Sequence, residues 1–202
     1  MHVRNADLAI YAVHFAFWSA FILGRILVRS SNRRAGGVAP SASIAREKTT
    51  APYSRVVLAV HMVAFALLYT GVALVAFNHV SVWYAGQRLL GFVVIAVGAL
   101  LVISALLYFR SWRFRAELAA GHELATGGPY GFLRHPLYMG FNLLALGTAL
   151  WMPATLVWMG FVLIVIGSDL RARAEERILR KAFGSVYLEY CTRVRRFIPG
   201  IY

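Results

Sequence analysis

Residues 56–78 and 89–109 form two apolar runs without one charged side chain. A helix needs about 20 such residues to cross roughly 30 Å of hydrocarbon. In lipid the backbone must satisfy its own N–H and C=O groups, which an α-helix does within one segment. These runs therefore predict membrane-spanning helices. A third run, 7–28, has similar length; it is too long for the apolar core of a signal peptide, and no Ala-x-Ala-type cleavage signal ends it. A fourth, 137–168, is too long for one crossing and is interrupted at Met152-Pro153. Proline is well tolerated in the first turn of a new helix, so this run reads as a tight helical hairpin, 137–151 and 154–168. The expected fold is an all-α integral membrane protein: five transmembrane helices, a cytoplasmic loop and a C-terminal amphipathic helix, in a single domain over residues 1–202. A chain that is 60% hydrophobic agrees, since soluble domains run near half apolar.

The net charge of +13 raises nucleic acid as a partner, but the placement of the charges excludes the need for it. With five spans, 19 of the 21 Lys and Arg residues fall on one face, in segments 25–55, 110–134 and 171–196; Arg4 and Arg88 alone fall on the other. The positive-inside rule makes the rich face cytoplasmic. The N-terminus is then outside and the C-terminus inside, and anionic headgroups are the natural counter-charge. A prokaryotic plasma membrane is the expected location. Segment 29–54, rich in Ser, Ala, Gly and Arg, reads as a cytoplasmic loop with no assigned chemistry. The lone Cys191 excludes an internal disulfide and a cysteine metal cluster; no metal site is expected, and Cys191 reads as a half-buried helix residue.

Residues 121–140 lie between two apolar runs, at a membrane surface, and hold two His, an Arg, two Tyr, two Pro and five Gly. Gly127-Gly128-Pro129-Tyr130 cannot be regular helix and lets the backbone approach a ligand closely. Arg134-His135 precede Pro136, which fits the first turn of the fourth span, and amides at a helix start attract anionic groups. Taken singly, Arg134 is a lipid-phosphate anchor, His135 a surface histidine and His122 an idle loop residue; together in one loop they form the lip of a ligand site. Upstream, Trp112 and Phe114 among arginines read as an interfacial helix end.

After the fifth span, Leu170, Ala174, Ile178, Ala182, Val186, Tyr190 and Val194 recur at i, i+4, which predicts an amphipathic helix. Gly184 should interrupt or bend it, and Pro199 should end the ordered part. Arg171 and Glu175 share a face. From spacing alone this is a solvated ion pair; the functional alternative is that both point at a ligand. Within the spans, His14 and His61 read as interhelical hydrogen-bonding residues, and Asn142, below His135 and Tyr138, as lining the substrate entrance.

The residues His122-x-Leu124-x-Thr126-x-Gly128-x-Tyr130-x4-His135-Pro136-x-Tyr138-x-Gly140, with Arg134 before His135, resemble the cofactor motif of isoprenylcysteine carboxyl methyltransferases. The downstream Arg171-x3-Glu175-Glu176-x2-Leu179-x3-Phe183-Gly184-x2-Tyr187-x2-Tyr190-x3-Val194 resembles the same family, and the likeness covers about 115–199. It implies a membrane enzyme that uses S-adenosylmethionine, bound in a cytosol-facing pocket between segments 115–140 and 169–197. It further implies that His122, Glu123, Leu124, Ala125, Tyr130, His135, Pro136, Leu137 and Tyr138 hold the cofactor, and that Glu175 touches it. Arg171 would be the catalytic and substrate-binding residue that grips the acceptor carboxylate, and Asn142 would join it in binding substrate. The short chain is similar to the prokaryotic branch of that family. Methyl transfer to a carboxylate needs alignment and no general base, which an Arg fork supplies, and no Asp–His base pair is evident in the sequence.

The expected acceptor is the carboxylate of a prenylated cysteine or another lipid-tailed carboxylate. A phospholipid or small-molecule methyltransferase of the same superfamily is the nearest alternative. Arg134-His135-Pro136-x-Tyr138 is shared with NADPH-dependent membrane sterol reductases, which would not need Arg171-x3-Glu175-Glu176. A non-catalytic lipid-binding protein is the third alternative. The sequence gives no oligomeric state.

Overall fold

In a computed structural model, the described residues are 5–34, 54–78, 85–108 and 124–202. They form five α-helices: α1 (Asn5–Arg34), α2 (Ser54–Asn78), α3 (Ala85–Tyr108), α4 (Pro136–Trp151) and α5 (Thr155–Arg193), with one 3-10 turn at Gly128–Gly131 before α4. No strand forms among the described residues; an isolated bridge joins Leu133 to Arg195. Most of the basic loop 29–54, the interfacial Trp112 and Phe114, and the site candidates His122 and Glu123 lie outside the described residues.

Four helices are long and apolar enough to cross a membrane: α1, α2, α3 and α5. The fourth expected span, α4, has 16 residues, about 24 Å at 1.5 Å per residue. Its N-terminus starts at Pro136 and its C-terminus stops at the expected Met152-Pro153 break. This short helix is the centre of the bundle. Leu144, Ala145, Ala149 and Trp151 are buried, whereas α3 leaves Leu89, Leu100 and Leu107 outward. The outward apolar faces of α1, α2 and α3 are what a lipid-facing surface requires.

Close approach fixes the pairing. A Cβ on Gly147 of α4 would lie 2.6 Å from the Gly91 carbonyl of α3, and one turn-pair away a Cβ on Gly140 would lie 2.9 Å from that of Gly98. Matching of 91 with 147 and of 98 with 140 makes α3 and α4 antiparallel. In the same way Gly71 meets Val157, Gly160 meets Leu68 and Gly167 meets His61, so α2 and α5 are antiparallel. Small residues at such seams are how helices associate where lipid removes the hydrophobic drive.

The intramembrane histidines divide. His14 of α1 bonds the Tyr69 hydroxyl of α2 and the Thr148 hydroxyl of α4, each at 2.9 Å, and Trp18 donates to the same Tyr69 oxygen. That is an interhelical network, as expected. His61 instead bonds the Val57 carbonyl of its own helix at 3.1 Å while its ring packs on Gly167, so the expectation of an interhelical bond fails there.

Beyond Ser168, α5 leaves the apolar span and carries charge. There it buries Ala172, Ala174, Glu176, Ile178, Tyr187 and Tyr190, with Val194 buried just past its end, so four members of the expected ridge are buried. The expected ridge is corrected: Leu170, Ala182 and Val186 are exposed. Each i, i+4 step advances the helix about 40° past a full turn, so a strict four-residue ridge winds off the buried face, which alternating steps of three and four follow. Gly184 breaks the helix as expected, at φ 53° and ψ −124°. The expected end of order at Pro199 is also corrected. The amides of Phe197 and Ile198 donate to the Tyr202 carbonyl at 2.7 and 2.6 Å, and the tail folds back onto α5.

Candidate functional site

The loop before α4 and the C-terminal tail are sewn together by backbone. The Arg134 amide donates to the Arg195 carbonyl at 2.8 Å, and the His135 amide to the Arg196 carbonyl at 3.2 Å. The Tyr190 hydroxyl donates to the Tyr130 carbonyl at 2.6 Å, and Leu124 packs against the cluster of Tyr187, Tyr190 and Val194. Segments 60 residues apart thus close around the first turn of α5 beyond the membrane. Gly128, at φ 57°, turns the loop there, and the close approach its bare backbone allows is taken by the Tyr108 ring of α3: a Cβ on Gly128 would fall 2.5 Å from that ring.

Two adjacent carboxylates organise the interior. Glu176 is 1% exposed. Arg196 grips it with both arms, Nε to Oε1 at 2.9 Å and Nη2 to Oε2 at 2.8 Å. Arg134 Nη2 lies 3.2 Å from Oε1, His135 Nε2 3.4 Å from the same oxygen, and Arg180 Nη2 3.5 Å from Oε2. Burial alone would raise this carboxyl, but the Arg196 and His135 hydrogen bonds and the Arg134 charge outweigh it and hold it well below the usual carboxylate range. Glu176 is a fixed anion facing inward.

Glu175 faces the other way. Its carboxylate is 21% exposed, against 18% for Arg171, whose Nε lies 3.5 Å from Oε1. Tyr138 donates its hydroxyl to the same oxygen, and the Arg171 guanidinium sits over the Tyr138 ring, 5.6 Å from its centroid. His135 stacks on Tyr138 with centroids 5.7 Å apart, and its Nδ1 is 3.8 Å from Glu175 Oε2. Tyr130 lies near enough that burial first, and the Glu175 charge next, push its phenol up. Arg171 and Glu175 are therefore part of a half-buried cluster, which rules out the bare solvated pair that spacing allowed.

The structure brings together Tyr130, His135, Tyr138, Arg171 and Glu175. Leu124 and Ala125 are partly buried, Leu124 against the Tyr187, Tyr190 and Val194 cluster, and Pro136 is buried at the start of α4. Leu137 points away, into the core formed with Ile10 and Leu144. Asn142 is buried and its Oδ1 accepts from Ser168 at 2.8 Å, tying α4 to α5. The sequence left the role of Glu176 open and gave no sign of Arg196, Asp169 and Tyr202. Arg196 Nη1 lies 2.9 Å from Asp169 Oδ1, and the Tyr202 hydroxyl donates to that same oxygen at 2.8 Å. It also missed the His135–carboxylate juxtaposition, because its members stand 40 residues apart in the chain. Among the described residues, no group of His, Cys, Asp and Glu is set to hold a metal.

The phospholipid methyltransferase family matches residues 86–186, half of the chain. Over 89 residues the chain is 43% identical to protein-S-isoprenylcysteine O-methyltransferase of Saccharomyces cerevisiae, covering 43% of this chain and 37% of that one. It is 34% identical to the B isoform of Arabidopsis thaliana over 81 residues, 40% of this chain and 41% of that one. The human enzyme is 35% identical over 87 residues, 42% of this chain and 30% of that one. The matches span well under half the length of these relatives. The solved eukaryotic intramembrane Ras methyltransferase, isoprenylcysteine carboxyl methyltransferase, superposes with a TM-score of 0.64 at 22% identity, covering 98% of this chain and 69% of that one. The helical bundle is thus the fold of an integral membrane protein, with both carboxylates and the loop before α4 inside or beside the matched region.

Proposed function

The chain belongs to the phospholipid methyltransferase family, and from that premise we propose that it is a membrane enzyme transferring a methyl group from S-adenosylmethionine to a lipophilic acceptor, with the carboxylate of a prenylated cysteine as the first candidate. The whole chain acts as one domain in this reading. Its basic face, with the site, is cytoplasmic in a prokaryotic plasma membrane, and the N-terminus is outside.

The observation that carries the reading is the half-exposed cluster of Arg171, Glu175 and Tyr138 at the membrane boundary, beside a rigid interior anion. Its donor set fits the cofactor. Glu175, its carboxylate 21% exposed, accepts from ribose hydroxyls or an amino group, and the Tyr130 ring offers an aromatic face to a cationic sulfonium. Leu124 and Ala125 would border it, and His122 and Glu123 complete the set that the family resemblance implies. When bound, S-adenosylmethionine supplies a methyl group on a sulfonium, which departs as a neutral thioether without acid assistance. The protein's part is alignment. Arg171 presents two parallel donors to an acceptor carboxylate, Tyr138 beneath it fixes the guanidinium plane, and Glu175 keeps Arg171 from swinging to solvent. The lipid tail of the acceptor lies along the outward apolar faces of the bundle, and Asn142 borders its entry from α4.

One observation favours a second reading, an amine acceptor as on a phospholipid headgroup. His135 lies 3.8 Å from Glu175, a pairing that can take the proton an amine must lose. The test is methyl transfer from labelled S-adenosylmethionine in detergent micelles, with N-acetyl farnesylcysteine and phosphatidylethanolamine as competing acceptors. Label on the farnesyl compound supports the carboxylate reading, and label on the headgroup alone moves the protein to the amine reading. Failure of the protein to bind S-adenosylhomocysteine refutes both.

A further inference from the structure

The C-terminal tail is held at both ends and in the middle. Val194 and Phe197 are buried, and Phe197 packs on Tyr138 and Ala172 with its ring 6.0 Å from His135. Arg196 acts twice between them. Its carbonyl accepts the His135 amide, while its guanidinium spans from Glu176 to Asp169. The last residue locks that guanidinium: the Tyr202 hydroxyl lies 2.7 Å from Arg196 Nη1 and 2.8 Å from Arg173 Nη2. Glu176 in turn is the anion against which Arg134 and His135 rest. The interior carboxylate and the entrance to α4 therefore depend on Arg196, whose guanidinium bonds Glu176, Asp169 and Tyr202.

We infer that Arg196 is a positioning residue: from the C-terminal tail it fixes Glu176, and through Glu176 and its own carbonyl it sets the Arg134–His135 segment in the geometry that binds the cofactor, with Tyr202 as its latch. This rests on the methyltransferase reading for the ligand, but the geometry it claims exists without ligand. Two charge-assisted bonds from one planar fork constrain a carboxylate in direction as well as distance, and a binding segment must be held within a fraction of an ångström by such outer contacts.

The full-length protein in detergent micelles is compared with Arg196→Met, Arg196→Lys and Tyr202→Phe. Hydrogen exchange of residues 130–137 is followed without ligand, S-adenosylhomocysteine affinity is measured by calorimetry, and kcat and KM for S-adenosylmethionine are separated. Arg196→Met is expected to accelerate exchange at the Arg134 and His135 amides. It should weaken S-adenosylhomocysteine roughly ten- to a hundredfold, the scale of one lost bond to a charged group, and raise the cofactor KM more than it lowers kcat. Arg196→Lys should recover part of the affinity, since an ammonium lacks the two-point fork. Tyr202→Phe should move exchange and affinity in the same direction by less. Unchanged exchange and affinity in the folded variants overturn the inference, and so does a fall in kcat with affinity intact. Should Arg196→Met fail to fold, parent-like exchange and affinity in both Arg196→Lys and Tyr202→Phe overturn it equally. A parent protein that binds no S-adenosylhomocysteine refutes the methyltransferase reading instead, and the exchange comparison then decides the role of the tail by itself.

Discussion

Glu176→Gln is the perturbation that tests most directly what holds the cytoplasmic half together. The amide is nearly the same size, so no cavity opens. It removes the negative charge that faces Arg134, His135, Arg180 and Arg196, and turns an NH2 donor toward at least one guanidinium donor. Arg180 is 49% exposed and contributes little to the loss. Arg196 and Arg134 are 11% and 12% exposed, and each would keep a charge that water reaches poorly. Removing one member of a buried ion pair costs about 3–5 kcal/mol, because the partners remain buried and uncompensated. The lower end applies here, since Arg196 keeps Asp169. Unfolding free energy is measured by SDS titration of mixed micelles, in the parent, Glu176→Gln, Arg196→Met and the double variant. A loss of about 3 kcal/mol is too large for a surface pair, and the two single losses should overlap by at least about 1 kcal/mol in the cycle. A loss below about 1 kcal/mol, or strictly additive losses, would refute the claim that Glu176 organises this region. The acid limb follows from the same contacts. Because the folded carboxyl is held below its ordinary value of 4.5, its contribution is complete above that pH and is lost as pH falls through the interval down to the folded value. Glu176→Gln should therefore show a flatter loss of stability on acidification below about pH 4.5.

Gly147→Val should be among the most damaging substitutions in the bundle, since its first added carbon would fall 2.6 Å from the Gly91 carbonyl; a loss of about 1–3 kcal/mol or more is expected in the same titration. His14→Phe leaves Tyr69 and Thr148 without their shared partner and should cost about 0.6–1.7 kcal/mol, the range of interhelical bonds in membranes, with methyl transfer retained. Arg171→Ala should lower turnover on a carboxylate acceptor with S-adenosylhomocysteine affinity largely intact, and Arg171→Lys should rescue it only in part; equal activity in Arg171→Ala removes that residue from the mechanism. For the topology, cysteines placed at positions 40 and 86 in a Cys191→Ser background should label from the cytoplasmic and the external side respectively, and the opposite pattern would invert the assigned orientation.

The helices were legible because lipid leaves the backbone few choices. Uncharged runs at 56–78 and 89–109 and the Met152-Pro153 break locate α2, α3 and the hairpin to within a few residues. What the pattern concealed was which helix lies innermost. The hydropathy of α4 resembles that of its neighbours, and only the opposed pairs of Gly91 with Gly147 and Gly98 with Gly140 bury it. Such pairing depends on register between two helices, which no single run encodes. The amphipathic face of α5 was misjudged for a related reason. Apolar residues at fixed steps of four mark a stripe that winds around the helix, and off that stripe, on the opposite side from Ala174 and Ile178, the buried residue is Glu176, an anion.

That anion explains where sequence reasoning stops at the site. A hydropathy scan places a carboxylate outside, and two adjacent glutamates look interchangeable. The backbone puts consecutive helical side chains about 100° apart, so Glu175 and Glu176 face different arginines, with only the two nitrogens of His135 reaching both. Glu175 turns to Tyr138 and Arg171 at the half-open cluster, and Glu176 turns to the buried fork of Arg196. The difference is supplied by a tail 20 residues further on, whose own sequence, arginines before a proline, reads as a solvated end. Arg171 and Glu175 were visible because they are four apart on one helix. Glu176 acquires its role from three separate segments, and a buried charge of this kind is tolerated only where all of them converge. The charge count of the segment was therefore informative in a way its spacing was not: residues 169–176 carry three acids against two arginines, and each of the three acids is matched to an arginine within 4 Å, for Asp169 and Glu176 with the help of Arg196 from the tail.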